Sequence, residues 1–515
     1  MKKGYKKLLA AAAVFLALIA VLLLAEREAP NASIRSLSAA LWYAITTLTS
    51  VGYGDLFPVT AVGRIAGAVL ELGSLGVLAL LLAILLTVYR SRLRPKMLLW
   101  LRRKRDWYVF LSAGAPSRAM AEALLREDPS RTIVFSLPSA EEGLPGIVTS
   151  LPAEALLRLR KSGSGVHVFA LGDDWLQNEK QADALKGARC RVYCLSPHPL
   201  DSLPEGQLRF APWEICARLY WQRFPAEGPE EEIWIVGDGR CAQALLEQAL
   251  LVNVLAPEQR IRYVLFGDHA DFRRCHPALE PLAVSPGSDG SGDRIVWSDK
   301  AWNADADALR AADRIIFCSD DEEENLDRLS ALRRFFPVSG RVHARLSRPF
   351  DGAETFGSPQ ELFTPELVMR EQLNRTAKML HGIYRAANGG PAWEELSEFT
   401  RRSNLAAADH LPVKLRLLLP DETVSVPERR LCRLAADALA AANEDRRRFR
   451  EIEHIRWMRF HLLYNWRYGE ERSDKDRLHP LLRSFDELEE RDQAKDDYAW
   501  TLIASLADLP EEEKR

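Results

Sequence analysis

The sequence predicts a multidomain chain: an all-α N-terminal part, two α/β units on parallel sheets, and a mainly α-helical C-terminal domain. Three observations carry this. Two apolar runs, at 8–25 and 65–88, bracket the stretch TSVGYGD at 49–55, which suits neither a helix nor a strand. From about residue 106, strands alternate with amphipathic helices and glycine turns, twice over. From about residue 364 the glycine turns fade and helical spacing takes over.

At 515 residues the chain exceeds what one hydrophobic core spans. A formal net charge of -3 with 27% charged residues argues against a nucleic-acid-binding surface. The seven cysteines, Cys190, Cys194, Cys216, Cys241, Cys275, Cys318 and Cys432, all follow the second apolar run. An odd count without CxxC pairs fits reduced thiols in a cytoplasmic region. Cys190 and Cys194 read as strand positions, so neither a disulfide framework nor a zinc site is expected.

The first run follows a basic head, MKKGYKK, as a secretory signal would. Its 18 apolar residues exceed the usual signal core of ~7–15 residues, and as a helix they span about 27 Å. The second run is too long for a signal, so two membrane-crossing helices are expected. Basic residues before the first run and after the second outnumber those between them, where only Arg27 and Arg35 lie. Both termini are therefore placed in the cytoplasm, as a multi-pass protein of the cell (inner) membrane, with the lipid bilayer as a partner.

Between the runs, SLSAALWYAITTL at 36–48 is apolar enough to enter the membrane and too short to cross it. It reads as a re-entrant helix, followed by a glycine-rich return. Irregular backbone at that depth is tolerated only when buried in protein or lining a watery path. Its carbonyls could replace the hydration shell of a cation.

Along its whole length, WYAITTLTSVGYGDLFPVTAVGR at 42–64 resembles the pore segment of two-transmembrane potassium channels. The resemblance implies a selectivity filter at Thr49, Ser50, Val51, Gly52, Tyr53, Gly54 and Asp55. Potassium, the permeant ion, would be held at Ser50, Val51, Gly52 and Tyr53, with Gly54 completing the outer turn and Asp55 bracing the loop from behind. Ser50 stands where the family usually has threonine, and Thr46 where some relatives carry a buried glutamate. A ring of carbonyls needs four loops, so a homotetramer is implied. Gly73 and Gly76 read either as a gating hinge or as small residues permitting close helix packing.

After a basic linker at 91–105 comes IWIVGDGRCAQALLEQALL, a buried strand, a glycine turn and an amphipathic helix. Gly237, Gly239 and Ala242 fit G-x-G-x-x-A, which suits a pyrophosphate at the N-terminus of the helix beginning at Arg240. The acid that would meet a ribose is Asp268, 29 residues after Gly239 and later than the usual ~20. A nucleotide or nucleotide-derived ligand is thus expected at Gly237, Gly239, Arg240 and Asp268. The acids SDDEEE at 319–324 read as the start of a helix, where the dipole favours carboxylates, in preference to a calcium site.

The same plan occurs earlier in worn form. WYVFL at 107–111 leads into SAGAPS, where Ser112 replaces the first glycine, and VHVFALGDDWLQN parallels IIFCSDDEEEN. This reads as an internal duplication whose first copy has lost its phosphate turn. Tandem units of this kind behind a potassium pore resemble the regulator-of-potassium-conductance (TrkA-N type) domains, over roughly 105–348. Farther on, NWRYGEERSDKDRLHPLL followed by FDEL resembles the ryanodine-receptor repeat (RyR) domain, over about 450–506. In that stretch Trp466, Tyr468, Arg472, Lys475 and His479 could form an aromatic–basic ligand site, or else the aromatics are core residues and the charges solvated.

The fold class is therefore an all-α transmembrane tetrameric pore, then two α/β Rossmann-like domains, then a mainly α-helical domain. The expected boundaries are 1–90 for the pore module, 91–105 for the linker, 106–228 for the degenerate Rossmann-like domain, 229–350 for the second, and 351–515 for the helical region. The expected function is a potassium channel gated by a small cytoplasmic ligand, and not an enzyme. The alternative is a membrane-anchored nucleotide-binding sensor or enzyme in which the pore is only an anchor.

Overall fold

A computed structural model describes residues 2–49, 51–139, 141–159, 165–197, 205–284, 289–420, 422, 429–441 and 446–507, with 2–12, 74–78, 80, 81, 91 and 92 described by backbone alone. It forms two compact units. The first is Met1–Arg103 with Pro138–Ala140 and Ile147–Ser150, the last holding strand β3 (Ile147–Thr149). Lys104–Leu137, Glu141–Gly146 and Leu151–Arg515 make up the second.

The first unit is built on three helices, α1 (Lys2–Glu26), α2 (Leu37–Leu48) and α3 (Ala61–Val88). Ile19 and Leu22 of α1, Ala40, Tyr43 and Ala44 of α2, and Ala66 and Leu70 of α3 share one buried cluster with Ile34. The short α2 starts where Ser36 accepts the Ala39 N–H at 3.1 Å, an N-cap that fixes its first turn. Glu26, fully buried at the end of α1, accepts the Val59 and Thr60 N–H groups at 3.0 and 2.9 Å and the Thr60 hydroxyl at 2.6 Å. Thr60 in turn caps α3 through the Gly63 N–H. Among the described residues no helix is long and apolar enough to cross a membrane. The expected spans at 8–25 and 65–88 include positions whose side chains lie outside the described residues.

The second unit holds two large parallel sheets and a two-stranded parallel pair, Arg467–Tyr468 with Leu478–His479. In the first, β1 (Trp107–Phe110), β2 (Thr132–Ser136), β4 (Val166–Ala170), β5 (Arg191–Leu195) and β6 (Gln207–Phe210) lie in the spatial order β2-β1-β4-β5-β6. The second contains β7 (Glu232–Val236), β8 (Arg262–Phe266), β9 (Arg294–Ser298), β10 (Arg314–Phe317), β11 (Arg341–Arg345) and β12 (Glu354–Phe356), ordered β12-β11-β10-β7-β8-β9. Read from its third strand this is the 3-2-1-4-5-6 order of a doubly wound Rossmann-like sheet, reversing between β7 and β10. The central strands are continuous apolar runs because helices cover both faces.

The duplication is visible in side chains. After β4, Asp174 caps the helix Trp175–Asp183; after β10, Asp321 caps the helix Glu322–Phe335. Four residues past each cap stands a buried asparagine that stitches neighbouring strand ends together. Asn178 accepts from Gly172 N–H and donates to the Gly172 and Leu195 carbonyls. Asn325 accepts from Ser319 N–H and donates to the Ser319 and Arg345 carbonyls.

The C-terminal helices pack around Leu415, Cys432, Ala435, Ile452, Trp500 and Ile503. The helix Arg446–Leu463 is tied to the second sheet by Arg459, whose buried guanidinium meets Asp289 at 2.6 Å and Asp293 at 2.7 Å. Lys414 and Arg456 share the buried carboxylate of Glu453 at 2.8 and 2.6 Å. The two cations hold that carboxyl far below the usual range despite its burial.

Candidate functional sites in the glycine loop and the second Rossmann-like sheet

The loop after α2 turns on positive dihedrals. Gly52 has φ +54° and Gly54 φ +73°, and both face open space in the single chain. Side chains at such dihedrals are strained, which is why glycine occupies them. The Thr46 carbonyl, left free at the end of α2, accepts the N–H groups of Val51 at 3.0 Å and Gly52 at 3.2 Å. The loop is thereby folded back over the helix C-terminus. The Thr49 hydroxyl caps the Ile45 carbonyl at 2.8 Å. Ser50 lies outside the described residues.

Trp42 braces the loop from α2. Its indole N–H donates to Asp55 Oδ2 at 3.0 Å, and its ring stacks on Tyr53 with centroids 5.9 Å apart and planes within 2°. Sequence reasoning gave Asp55 a bracing role but missed its partner; the signal was the 13-residue separation across one helical segment and its return. Glu26 carries no local signal of its role, since the groups it holds lie more than thirty residues along the chain. Gly73 faces open space within α3, and Gly76 belongs to the stretch described by backbone alone. The close approaches are at Gly63 and Gly67 instead, where a Cβ would fall on the Glu26 carboxylate and meet the Tyr43 hydroxyl at 2.8 Å, respectively.

In the second Rossmann-like sheet the strand–glycine–helix turn forms where the motif places it. Gly237 follows β7, and a Cβ there would lie 2.6 Å from the Ser319 N–H nitrogen. Gly239 precedes the helix Arg240–Val252. Two of the amides at that helix start are not open, however. Asp320, from the loop after β10, accepts the Arg240 N–H at 2.9 Å and the Cys241 N–H at 3.1 Å. A Cβ on Gly239 would fall on the same carboxylate. Where a pyrophosphate would sit, the chain's own carboxylate sits, so a diphosphate does not fit the seat as the chain stands. Asp268 caps its own turn, Oδ1 accepting the Ala270 N–H at 3.0 Å. The acidic run thus divides its work: Asp320 caps one helix, Asp321 another, and Glu322 holds Ser347 through N–H and hydroxyl, both at 2.6 Å.

Beyond the ends of β7, β8 and β9 lies a cavity of about 580 Å³, bounded by Val236, Gly267, Asp268, Trp297, Trp302 and Arg328. His269 also lines it, 5% exposed, its imidazole against the Phe266 backbone with no hydrogen bond of normal geometry. Burial pushes that imidazole's pKa down.

In the stretch 450–506, the five expected residues divide into two groups. Trp466 is buried and shares an aromatic cluster with Phe399, His461 and His479. Burial holds both His461 and His479 down at about 4. Tyr468, Arg472 and Lys475 are exposed; Arg483 lies over the Tyr468 ring, and Arg472 pairs with Asp474 at 2.8 Å.

Comparisons with known proteins bear on the first unit. Residues 8–91 match the family model described as an ion channel. Over 66 residues the chain is 38% identical to a voltage-gated potassium channel of Aeropyrum pernix, covering 13% of this chain and 22% of that protein. Over 60 residues it is 42% identical to the potassium voltage-gated channel protein Shal of Drosophila melanogaster, covering 12% of this chain and 10% of that one. The chain thus spans about a fifth or less of the length of these relatives. Among solved structures, the GsuK channel bound to ADP aligns over 72% of this chain and 100% of its own, at 16% identity and a TM-score of 0.33. The GsuK channel bound to NAD aligns over 73% and 86%, at 13% identity and a TM-score of 0.30. Scores this low establish no correspondence between residues.

Proposed function

We propose that this chain is one subunit of a potassium-selective channel of an inner membrane, four copies forming the pore, with gating by a small ligand bound in the cytoplasmic lobes. The observation that carries it is the loop at 51–55. Two positive-φ glycines flank Tyr53, the loop is hydrogen-bonded back to the helix end, and Trp42 holds Tyr53 and Asp55 from behind. Four such loops around an axis would present the carbonyls of residues 50–53 to a dehydrated cation. The ion-channel match over 8–91 supports the same reading.

In this reading α1 and α3 cross the bilayer, both termini are cytoplasmic, and Gly73 or Gly76 is where α3 bends. The Rossmann-like and RyR-like regions supply the ligand dependence, with a nucleotide-derived molecule in the second Rossmann-like lobe. No catalytic chemistry is proposed. Gating requires only that ligand favour one conformation by roughly 1–3 kcal/mol per coupled site. The test is potassium uptake into liposomes containing the full chain, with nucleotides and nucleosides added on the cytoplasmic side. Flux that is ligand-dependent and absent in Gly52→Asp supports the reading; intact protein with no flux under any ligand counts against it.

A further inference from the structure

The second Rossmann-like turn has the sequence of a phosphate seat, yet its seat is filled from within. Arg240 and Cys241 N–H groups, which are the donors a diphosphate would take, are both spent on Asp320. Gly239 leaves room beside them, and the Asp320 carboxylate uses it. Arg345 holds the Asp320 segment in place, donating to the Ser319 carbonyl at 3.2 Å and the Asp320 carbonyl at 3.0 Å. A phosphate arriving here would meet a carboxylate, with the Arg240 and Cys241 amides already spent.

The neighbouring cavity has the opposite character, being built but unsatisfied. His269, nine-tenths buried or more, lines it against the Phe266 backbone with neither ring nitrogen in a hydrogen bond of normal geometry; the Trp297 indole N–H is buried without a partner among the described residues, as is Nη1 of Arg328, whose Nη2 pairs with Glu324. Buried donors of this kind are costly when left unpaired, so they favour a ligand that brings acceptors. Trp297 and Trp302 bring aromatic surface, and the Asp268 carboxylate stands at the mouth, where a ribose diol would meet it. About 580 Å³ is in the range of small-molecule sites.

We propose that Asp320 is the chain's own substitute for a ligand diphosphate, so that the second Rossmann-like lobe takes a nucleoside in preference to a nucleoside diphosphate. The proposal rests on the reading of this lobe as the ligand-binding part and is independent of whether the pore conducts. Asp320 selects by occupying both amides and by like-charge repulsion; the base and ribose are held by the cavity beyond β8 and β9.

The experiment is calorimetric titration of the full chain in detergent with adenosine and with ADP, for the wild type, Asp320→Ala and Asp320→Asn. The expected wild type binds adenosine at least roughly tenfold more tightly than ADP. Asp320→Ala gains roughly tenfold or more for ADP, with adenosine unchanged, and Asp320→Asn, which keeps a hydrogen-bonding oxygen without the charge, falls between. A wild type that prefers ADP, or an ADP affinity that neither variant changes, overturns the role of Asp320 while leaving the lobe as a ligand site. Absence of binding by both probes in all three proteins overturns the proposal together with the assignment of ligand binding to this lobe. A separate readout needs no ligand: Gly239→Ala lowers the melting temperature of the wild type, and does so less in the Asp320→Ala background. Equal losses in both backgrounds contradict the contact.

Discussion

The Trp42 indole N–H and the Asp55 carboxylate, 13 residues apart, are joined at 3.0 Å across the ascending helix and the returning loop. The bond fixes the far end of the glycine loop to α2. Replacing Trp42 by Phe keeps a ring against Tyr53 and removes the donor. The expected loss is about 1 kcal/mol of loop stability, read as roughly fivefold lower potassium flux at equal protein amount. Unchanged flux would show that the bond does not hold the conducting loop.

Glu26 organises the entry to α3 from the end of α1. Changing it to Ala leaves the half-buried N–H groups of Val59 and Thr60 without this acceptor, at a cost of about 1 kcal/mol each. Glu26→Gln keeps one acceptor oxygen and loses less. Thermal melting of the purified protein should rank wild type above Glu26→Gln above Glu26→Ala; equal melting for all three would remove the cap from the account.

Asn178 and Asn325 predict matched consequences in the two sheets. Each makes three hydrogen bonds, buried or half-buried, at the end of a central strand. Alanine at either site should lower stability by roughly 2–3 kcal/mol, because the backbone groups it served stay buried. Because the sites lie in different sheets, the two losses should add in the double variant. Denaturant melts of the single and double variants check this, and a silent Asn178→Ala would mean the first sheet has outlived the constraint.

The aromatic cluster around Trp466 predicts acid sensitivity. His461 is held down at about 4 by burial, against an ordinary histidine value near 6.5 in the unfolded chain. A depressed histidine stabilises nothing by being charged. The unfolded chain binds the proton first, so stability is full above pH ~6.5, declines as pH falls toward about 4, and levels off below that. His461 alone accounts for at most roughly 3 kcal/mol, and the more exposed His479 for less. His461→Phe, which keeps an aromatic ring, should flatten the decline between pH 6.5 and 4 as followed by tryptophan fluorescence.

The parts of this architecture that sequence could show are those set by local rules. Positive-φ glycines at 52 and 54, the strand–glycine–helix turn at 233–242 and the apolar central strands each follow from residues a few positions apart. The paired acids and asparagines after β4 and β10 also announced the repeat, because the same backbone stitch needs the same residues. What stayed hidden depends on partners far along the chain. Asp320 was grouped with its acidic neighbours, and nothing local said it would leave them to cap a helix 80 residues earlier. Glu26 reached 34 residues to Thr60 in the same way. Trp466 and His479 do share a cluster, but it is closed by Phe399, which lay outside the stretch carrying the family resemblance.

The central claim is a potassium-selective pore, and the most direct measurement is the reversal potential of the reconstituted full chain in a planar bilayer with potassium on one side and sodium on the other. The account predicts currents that reverse near the potassium equilibrium potential in the wild type and are absent in Gly52→Asp. Currents that reverse near zero, or that survive Gly52→Asp, would contradict it.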